Sequence, residues 1–379
     1  MRSRLPSVDS RVLTPILVVA LPVLVIGAAM VISIGKARLQ ETQRARLTQV
    51  AEYTAGTIDA SVFRRILDAA VLGRVPEIRA AAAESSARPF DAKQAAELDR
   101  QWQEDRAGTV ARSGLLASPA SRFLADLASN DSIYREVLVT DRHGRLVAAS
   151  NPISDYIQSD EDWWIRSFDG GRGRVNMGDV RRDESAGVYA FEIAVPVPAP
   201  SGTEIAGVMK IVADSREMLA GIGGLEFGET AEAMLVRPNG SIVYSRRQIA
   251  EGDRFFAADL LREHLERREQ RKDPPGPMTF RAAGRDGSDR LVILAPSQLG
   301  RTYPDLAWFV ALSIDREELL APFQSLVWYL VLVFAATAIA VLAIALWLSL
   351  RLATPSLDPA VDMQLVDHAR MRRGEDADA

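Results

Sequence analysis

Two runs of this chain carry no charged side chain, Val12 to Ile34 and Leu326 to Leu350. A helix needs roughly 20 predominantly apolar residues to cross the hydrocarbon of a bilayer, and both runs reach that length. The second has Trp328, Tyr329 and Trp347 near its ends, where amphipathic rings settle at membrane interfaces. Pro15 and Pro22 in the first are tolerable in a membrane helix, whose surroundings can satisfy freed backbone groups. The competing reading of the first run is a cleaved signal peptide behind Arg2, Arg4 and Arg11. Its length exceeds the ~7–15 apolar residues of such a segment, and the small residues Gly27, Ala28 and Ala29 are followed by more apolar ones. Two spanning helices are therefore expected, at 12–34 and 326–350, with the lipid bilayer as a partner.

Orientation follows from positive charge in the short flanks. Arg2, Arg4 and Arg11 precede the first helix, and Arg351, Arg370, Arg372 and Arg373 follow the second; Lys36 and Arg38 weaken the bias. Segments 1–11 and 351–379 are expected in the cytoplasm, and 35–325 outside the cell membrane. A helical hairpin around so large an outside segment is the plan of a receptor, not of a channel or transporter.

Composition removes several alternatives. Cysteine is absent, which excludes disulfides, thiolate nucleophiles and Cys-based zinc sites. His143, His264 and His368 are far apart and form no metal-ligand spacing. Acids and bases are interspersed at a net charge of -5, with no basic footprint for nucleic acid. No cofactor is expected. No nucleophile, base and acid can be placed together by motif, so an enzyme is not expected either.

The outside segment divides by period. Residues 35–130 read as helical: a long stalk to about Ala83, broken at Gly73 or Pro76, then Ala95 to Arg106, then Ser118 to Ser129 with Ser118 as N-cap and Pro119 at the first helical position. Beyond 130 the period becomes two, and the chain repeats itself. Glu136 to Ser150 and Glu232 to Ser245 each read as strand, tight turn, strand, with His143-Gly144 and Asn239-Gly240 supplying positive-φ turn residues. Ile205 to Val212 followed by Ser215-Arg-Glu-Met-Leu219 parallels Ala307 to Ile314 followed by Asp315-Arg-Glu-Glu-Leu319. The expected fold class is α+β: two tandem PAS-like modules with antiparallel sheets, at 131–220 and 221–325, behind a long helix and between two membrane helices.

Aromatic residues and acids gather in one loop. Tyr156, Trp163 and Trp164 stand beside Asp160, Glu161 and Asp162. Aromatic faces suit the walls of a small-ligand pocket and can hold an amine by cation–π attraction; of the two tryptophans, one is expected in a pocket and one in the core. The acids would meet a cationic ligand or a calcium ion, or cap a helix through Asp160 or Asp162.

This order of elements resembles the double Cache sensor domain of bacterial chemoreceptors and histidine kinases. Ser154 to Ile165, Asp183 to Gly187 and Ile193 to Val197 look like the membrane-distal module of that family. The resemblance implies a ligand site in that module. Amino-acid-binding members show a tyrosine, four residues, an arginine, one residue, then tryptophan-tyrosine. Tyr156, Glu161, Trp163 and Trp164 fall at that spacing, but glutamate stands where the family's arginine grips a ligand carboxylate. The acid that would hold the ligand amine is expected where Val212 stands, two residues before Asp214. The resemblance therefore implies aromatic contacts without the usual amino-acid clamp. A small organic ligand, neutral or cationic, is expected at Tyr156, Asp160, Glu161, Trp163, Trp164, Asp183 and Tyr189.

Arg351-Leu-Ala-Thr-Pro355-Ser-Leu357 resembles the opening of a HAMP linker. The rest of that linker is missing, and no kinase, methyl-accepting or cyclase domain fits behind it. The expectation is a ligand-sensing subunit, homodimeric, that passes its signal to a separately encoded cytoplasmic effector. A membrane-tethered binding or scaffold module of a transport or envelope complex is the alternative, with an extracytoplasmic enzyme third; the neighbouring genes would discriminate.

Overall fold

The computed structural model describes residues 10–104, 114–183, 188–246 and 253–352. Residues Thr42–Leu319 form one compact unit, and the described residues up to Glu41 form a second with the described residues from Leu320 to Leu352.

In the second unit both apolar runs are helical. They belong to α1 (Ser10–Leu72) and α8 (Arg316–Leu352). Val25, Ile26 and Met30 on one and Val333 and Ile339 on the other are 61–66 % exposed. Apolar stripes of this length facing outward are stable in lipid rather than water. Gly35 lets the ring of Phe323 approach closely, since a Cβ there would stand 3.0 Å from it.

The larger unit holds two antiparallel sheets. The first runs β2 (Leu146–Ala149), β1 (Tyr134–Asp141), β6 (Ile205–Asp214), β5 (Val188–Pro198), β3 (Asn176–Met177), with β4 (Arg181–Asp183) also on β5. The second runs β8 (Ile242–Ser245), β7 (Glu232–Val236), β11 (Phe309–Asp315), β10 (Asp289–Pro296), β9 (Met278–Ala283). Both open with a hairpin and place their last strand beside its first strand, so the repeat seen in sequence is a repeat of topology.

The two hairpins turn alike, and differently from the sequence expectation. Gly144 and Gly240 have φ of 78° and 82°, whereas neither His143 nor Asn239 has positive φ. Gly144 N donates to the Asp141 carbonyl and Gly240 N to that of Arg237, and each ladder shifts register at the turn. This is a type I turn closed by a glycine bulge, which needs only one left-handed residue.

Helices cover one face of the sheets. Along α1, Leu47, Ala51, Ala55, Ile58, Val62, Ile66 and Ala69 are buried at steps of three and four, the spacing of one helical face. They enter a single core with Val137, Val139, Ile193, Met209 and Ile211 of the first sheet and Leu235, Ile293, Val310 and Leu312 of the second. The alternate residues of each strand therefore face away from α1. α1 ends at Leu72, and Pro76 opens α2 (Pro76–Ser86), a position where proline's missing N–H costs nothing. α3 (Ala92–Glu104) and α4 (Pro119–Asn130) follow; Ser118 caps α4 by accepting from Ser121 N at 3.2 Å.

Asp59 is a buried acid in the α1 stripe. It accepts from Ser297 Oγ at 2.5 Å and Gln298 N at 2.8 Å, tying α1 to the segment after β10. Burial pushes its carboxyl up, more than these two bonds pull it down. The native state thus holds this proton more tightly than the unfolded chain, and its contribution to stability declines as pH rises through the raised pKa. Asp59→Asn is expected to remove that decline while keeping an acceptor for Gln298. Urea midpoints between pH 4 and 7 would read the effect; parallel pH profiles for parent and variant would refute it.

Candidate ligand site

The outer face of the first sheet, away from α1, builds a cavity. Glu192 on β5 lies opposite Val212 on β6, and Ala194 opposite Lys210. The pleat sends Ala190, Glu192, Lys210 and Val212 to this face. At one end Leu138, Ala194 and Val208 pack against Trp102, Trp163 and Trp164. At the other end the face stays open, as a cavity of about 790 Å³.

Short helix α5 (Asp162–Phe168) roofs it. Trp163 and Trp164 are both buried on this helix, but consecutive helical residues point about 100° apart. Trp164 goes to the core: its Nε1 donates to Thr140 Oγ1 at 2.9 Å, and its ring stacks on Phe168 at 4.7 Å. Trp163 lines the cavity. Lys210 Nζ sits 5.3 Å from the Trp163 ring centroid, and Trp163 Nε1 is buried with no hydrogen-bond partner.

Asp160, Glu161 and Asp162 also line the cavity. Glu161 occupies the N-cap of α5, yet the helix start has no side-chain capping bond; Asp162 lies in the first turn. Burial pushes the Glu161 carboxyl above its ordinary value although the side chain is largely exposed, with Asp155 and Asp160 adding to the rise and Lys210 opposing it. Among the described residues no three His, Asp or Glu converge to hold a metal ion.

The remaining expected contacts lie elsewhere. Tyr156 is half-buried, its ring tilted onto Trp102 at 5.6 Å and its backbone N–H donating to Asp99 at 2.7 Å; it is not among the cavity's lining residues. Burial pushes its phenol up. Tyr189 precedes the cavity-facing Ala190 by one residue, so the pleat turns it to the inner face, edge-on to Tyr244 at 5.8 Å. The Asp183 side chain lies outside the described residues. Asp214 is held by Arg135 at 2.6 Å and by Arg216 at 2.9 Å, away from the cavity.

Several lining residues escaped sequence reasoning. Glu192 pairs with Lys210 at 3.0 Å, and Arg166 with Asp305 at 2.6 Å. Asp179 accepts from Arg237 Nε and, at 3.0 Å, from Trp308 Nε1, so a residue of the first cavity grips the second sheet's side of the unit. Arg181 lines the cavity too and is exposed. In all, six carboxylates and four cationic side chains face this space. The available signal was a charge in the middle of each of two largely apolar strands, Glu192 and Lys210.

A family model described as "Cache domain" matches residues 35–323. The chain is similar to the ligand-binding domain of the Pseudomonas aeruginosa PAO1 amino acid chemoreceptor PctC in complex with GABA, at 15% identity and TM-score 0.44, over 71% of this chain and 99% of that one. It is similar to the PctB domain of the same organism in complex with L-Arg, at 18% identity and TM-score 0.41, over 73% and 97%. It is also similar to the sensor domain of the V. cholerae histidine kinase DctB, at 15% identity and TM-score 0.43, over 74% and 98%. No curated protein matches the chain. Through residues 35–323, the chain belongs to the double Cache family of sensor domains.

Proposed function

We propose that this chain is a membrane-anchored receptor whose first sheet binds a small neutral or cationic organic ligand in the cavity under α5. The observation that carries this reading is the buried, unpartnered indole N–H of Trp163 on the wall of an acid-rich cavity. A ligand acceptor atom would satisfy that donor, whose isolation costs about 1–3 kcal/mol. Its cationic or polar body would relieve the crowding of Asp160 and Glu161. Residues 131–220 form the binding module, 221–325 the second module and 35–130 the helical stalk. The basic flanks support cytoplasmic termini, with 35–325 outside the cell membrane.

A ligand beside Asp179 would also perturb its grip on Arg237 and Trp308. β11, which begins just after Trp308, runs directly into α8. This supports a signal route from cavity to second membrane helix, towards a cytoplasmic effector; a ligand shifts that equilibrium only by favouring one arrangement. Thermal-shift screening of the full chain in lipid nanodiscs tests the ligand class. Amines and neutral polar compounds are expected to stabilise it; stabilisation by anionic carboxylates alone, with no effect of Trp163 substitution, would overturn the reading.

The charge argument yields a pH signature. Affinity for a cationic ligand is expected to rise as pH climbs through the raised pKa of Glu161, because the carboxylate forms there. Glu161→Gln should weaken cation binding and flatten the pH profile. Calorimetric titrations from pH 4.5 to 7.5 check this, and an unchanged slope in the variant would count against it.

A homodimer is supported by the outward face of α1, where Tyr53, Ala60, Phe63, Leu67 and Val71 form an exposed stripe at helical spacing. Because the chain has no cysteine, Ala60→Cys introduces a single thiol. Mild oxidation in membranes is expected to yield a covalent dimer; a chain that stays monomeric would exclude this face.

A further inference from the structure

The charges on the wall of the first cavity do not cancel evenly. Glu192 pairs with Lys210 at 3.0 Å, Arg166 with Asp305 at 2.6 Å and with Asp162 at 3.9 Å, and Asp179 with Arg237. These pairs account for four of the six acids and three of the four cations that line the space. Asp160, Glu161 and Arg181 remain. Among the described residues none of these three forms an ion pair.

The sheet holds the two signs apart. Arg181 on β4 lies opposite Ala190 of β5, which faces the cavity. The acids sit further along β5. Besides burial, the charges acting on the Glu161 carboxyl are those of Asp155, Asp160, Lys210 and Glu192. Lys210 lies opposite Ala194, so Glu161 is level with Glu192 to Ala194. At the rise of a β-strand, that stretch is roughly 7–13 Å from Ala190.

An α-amino acid cannot bridge this gap, because its amine and carboxylate share one carbon. A ligand that meets both ends must be extended. It also needs an acceptor of its own. Trp163 is 5 % exposed, and its Nε1 is buried without a partner on the cavity wall; an indole nitrogen can only donate. A short peptide supplies all three features. Its amine and carboxylate stand at opposite ends, about 3.3–3.6 Å apart per residue, and each residue carries a carbonyl.

We propose that the first cavity takes a linear peptide of about three residues, a length set by the rise of an extended chain. The amine lies at Asp160 and Glu161, a backbone carbonyl accepts from Trp163 Nε1, and the terminal carboxylate accepts from the exposed Arg181 as a charge-assisted pair. This narrows, and rests on, the reading of the cavity as a site for neutral or cationic ligands, since such a zwitterion is neutral overall.

Triglycine is the probe, titrated calorimetrically into the full chain in lipid nanodiscs. Saturable binding at one site per chain is expected, with triglycine amide weaker by roughly tenfold, the loss of one hydrogen-bonded charge. In Arg181→Gln the two should bind equally. ε-Aminocaproate spaces its charges similarly but has no carbonyl between them, and should also bind roughly tenfold more weakly; Trp163→Phe should erase that difference. Glycine should bind more weakly than triglycine. No saturable binding of triglycine, a preference for the free carboxylate that survives Arg181→Gln, or glycine or ε-aminocaproate binding as tightly as triglycine would each overturn the proposal. Trp163-dependent binding of triglycine and its amide with equal affinity would overturn it while leaving the cavity's role as a ligand site intact.

Discussion

Asp141→Ala is expected to destabilise the extracytoplasmic unit by about 3–5 kcal/mol, the cost of removing one partner from a buried charge pair. The Asp141 side chain is fully buried, and Arg145 Nε reaches it at 2.6 Å. One carboxylate oxygen accepts from the backbone N–H of His143 at 2.9 Å and Arg145 at 3.0 Å, and the other also accepts from Ser85 Oγ at 2.8 Å. Arg145 in turn donates to the Ser85 carbonyl at 2.5 Å. A single carboxylate thus shapes the β1–β2 turn and bolts it to α2. Removal leaves the Arg145 cation without its counter-ion. Against a typical total of 5–15 kcal/mol, the loss takes a large share of the stability. Urea unfolding followed by tryptophan fluorescence measures it, and a loss below about 1 kcal/mol would contradict the assignment. In the second hairpin the same corner is Arg237, which reaches out to Asp179 instead. Equivalent positions thus serve an internal bolt in one module and an inter-module tie in the other.

The second large effect concerns recognition. Trp163→Ala is expected to weaken the stabilising ligand of the first cavity by at least about thirtyfold, since a buried aromatic anchor contributes ~2 kcal/mol or more. The same change removes a ring from the core and costs about 3–5 kcal/mol of stability. Trp163→Phe separates the two consequences. It keeps most of the apolar volume and removes only the N–H donor, so stability should stay near that of the parent while affinity falls about tenfold. Equal affinity in parent and Trp163→Phe would mean that the indole nitrogen meets no ligand atom.

The fold was largely legible because its signals are local. Apolar runs long enough for a bilayer, Pro76 and Pro119 at helix starts, and glycine-marked hairpins all act within a few residues. The repeat was visible because both hairpins need a left-handed glycine at the same place. The cavity was less legible because it depends on register and on non-local pairing. Tyr189 and Ala190 are adjacent, and only the β5–β6 ladder decides which faces the ligand. Trp163 and Trp164 posed the same problem on a helix, where a rotation of one residue exchanges wall and core. The link from Asp179 to Arg237 and Trp308 joins residues far apart in sequence and leaves no local trace. Glu192 and Lys210 did leave one, as charges within apolar strands. The HAMP-like segment beyond Leu352 lies outside the described residues, as does the Asp183 side chain.

The most direct measurement is the indole proton resonance of Trp163 in the full chain, ¹⁵N-labelled at tryptophan, in nanodiscs. With six tryptophans in the chain, Trp163→Phe identifies the signal. Titration with the most stabilising amine or neutral compound is predicted to move that resonance downfield and slow its exchange with solvent. A Trp163 signal that stays fixed while the ligand saturates the protein would contradict binding in this cavity.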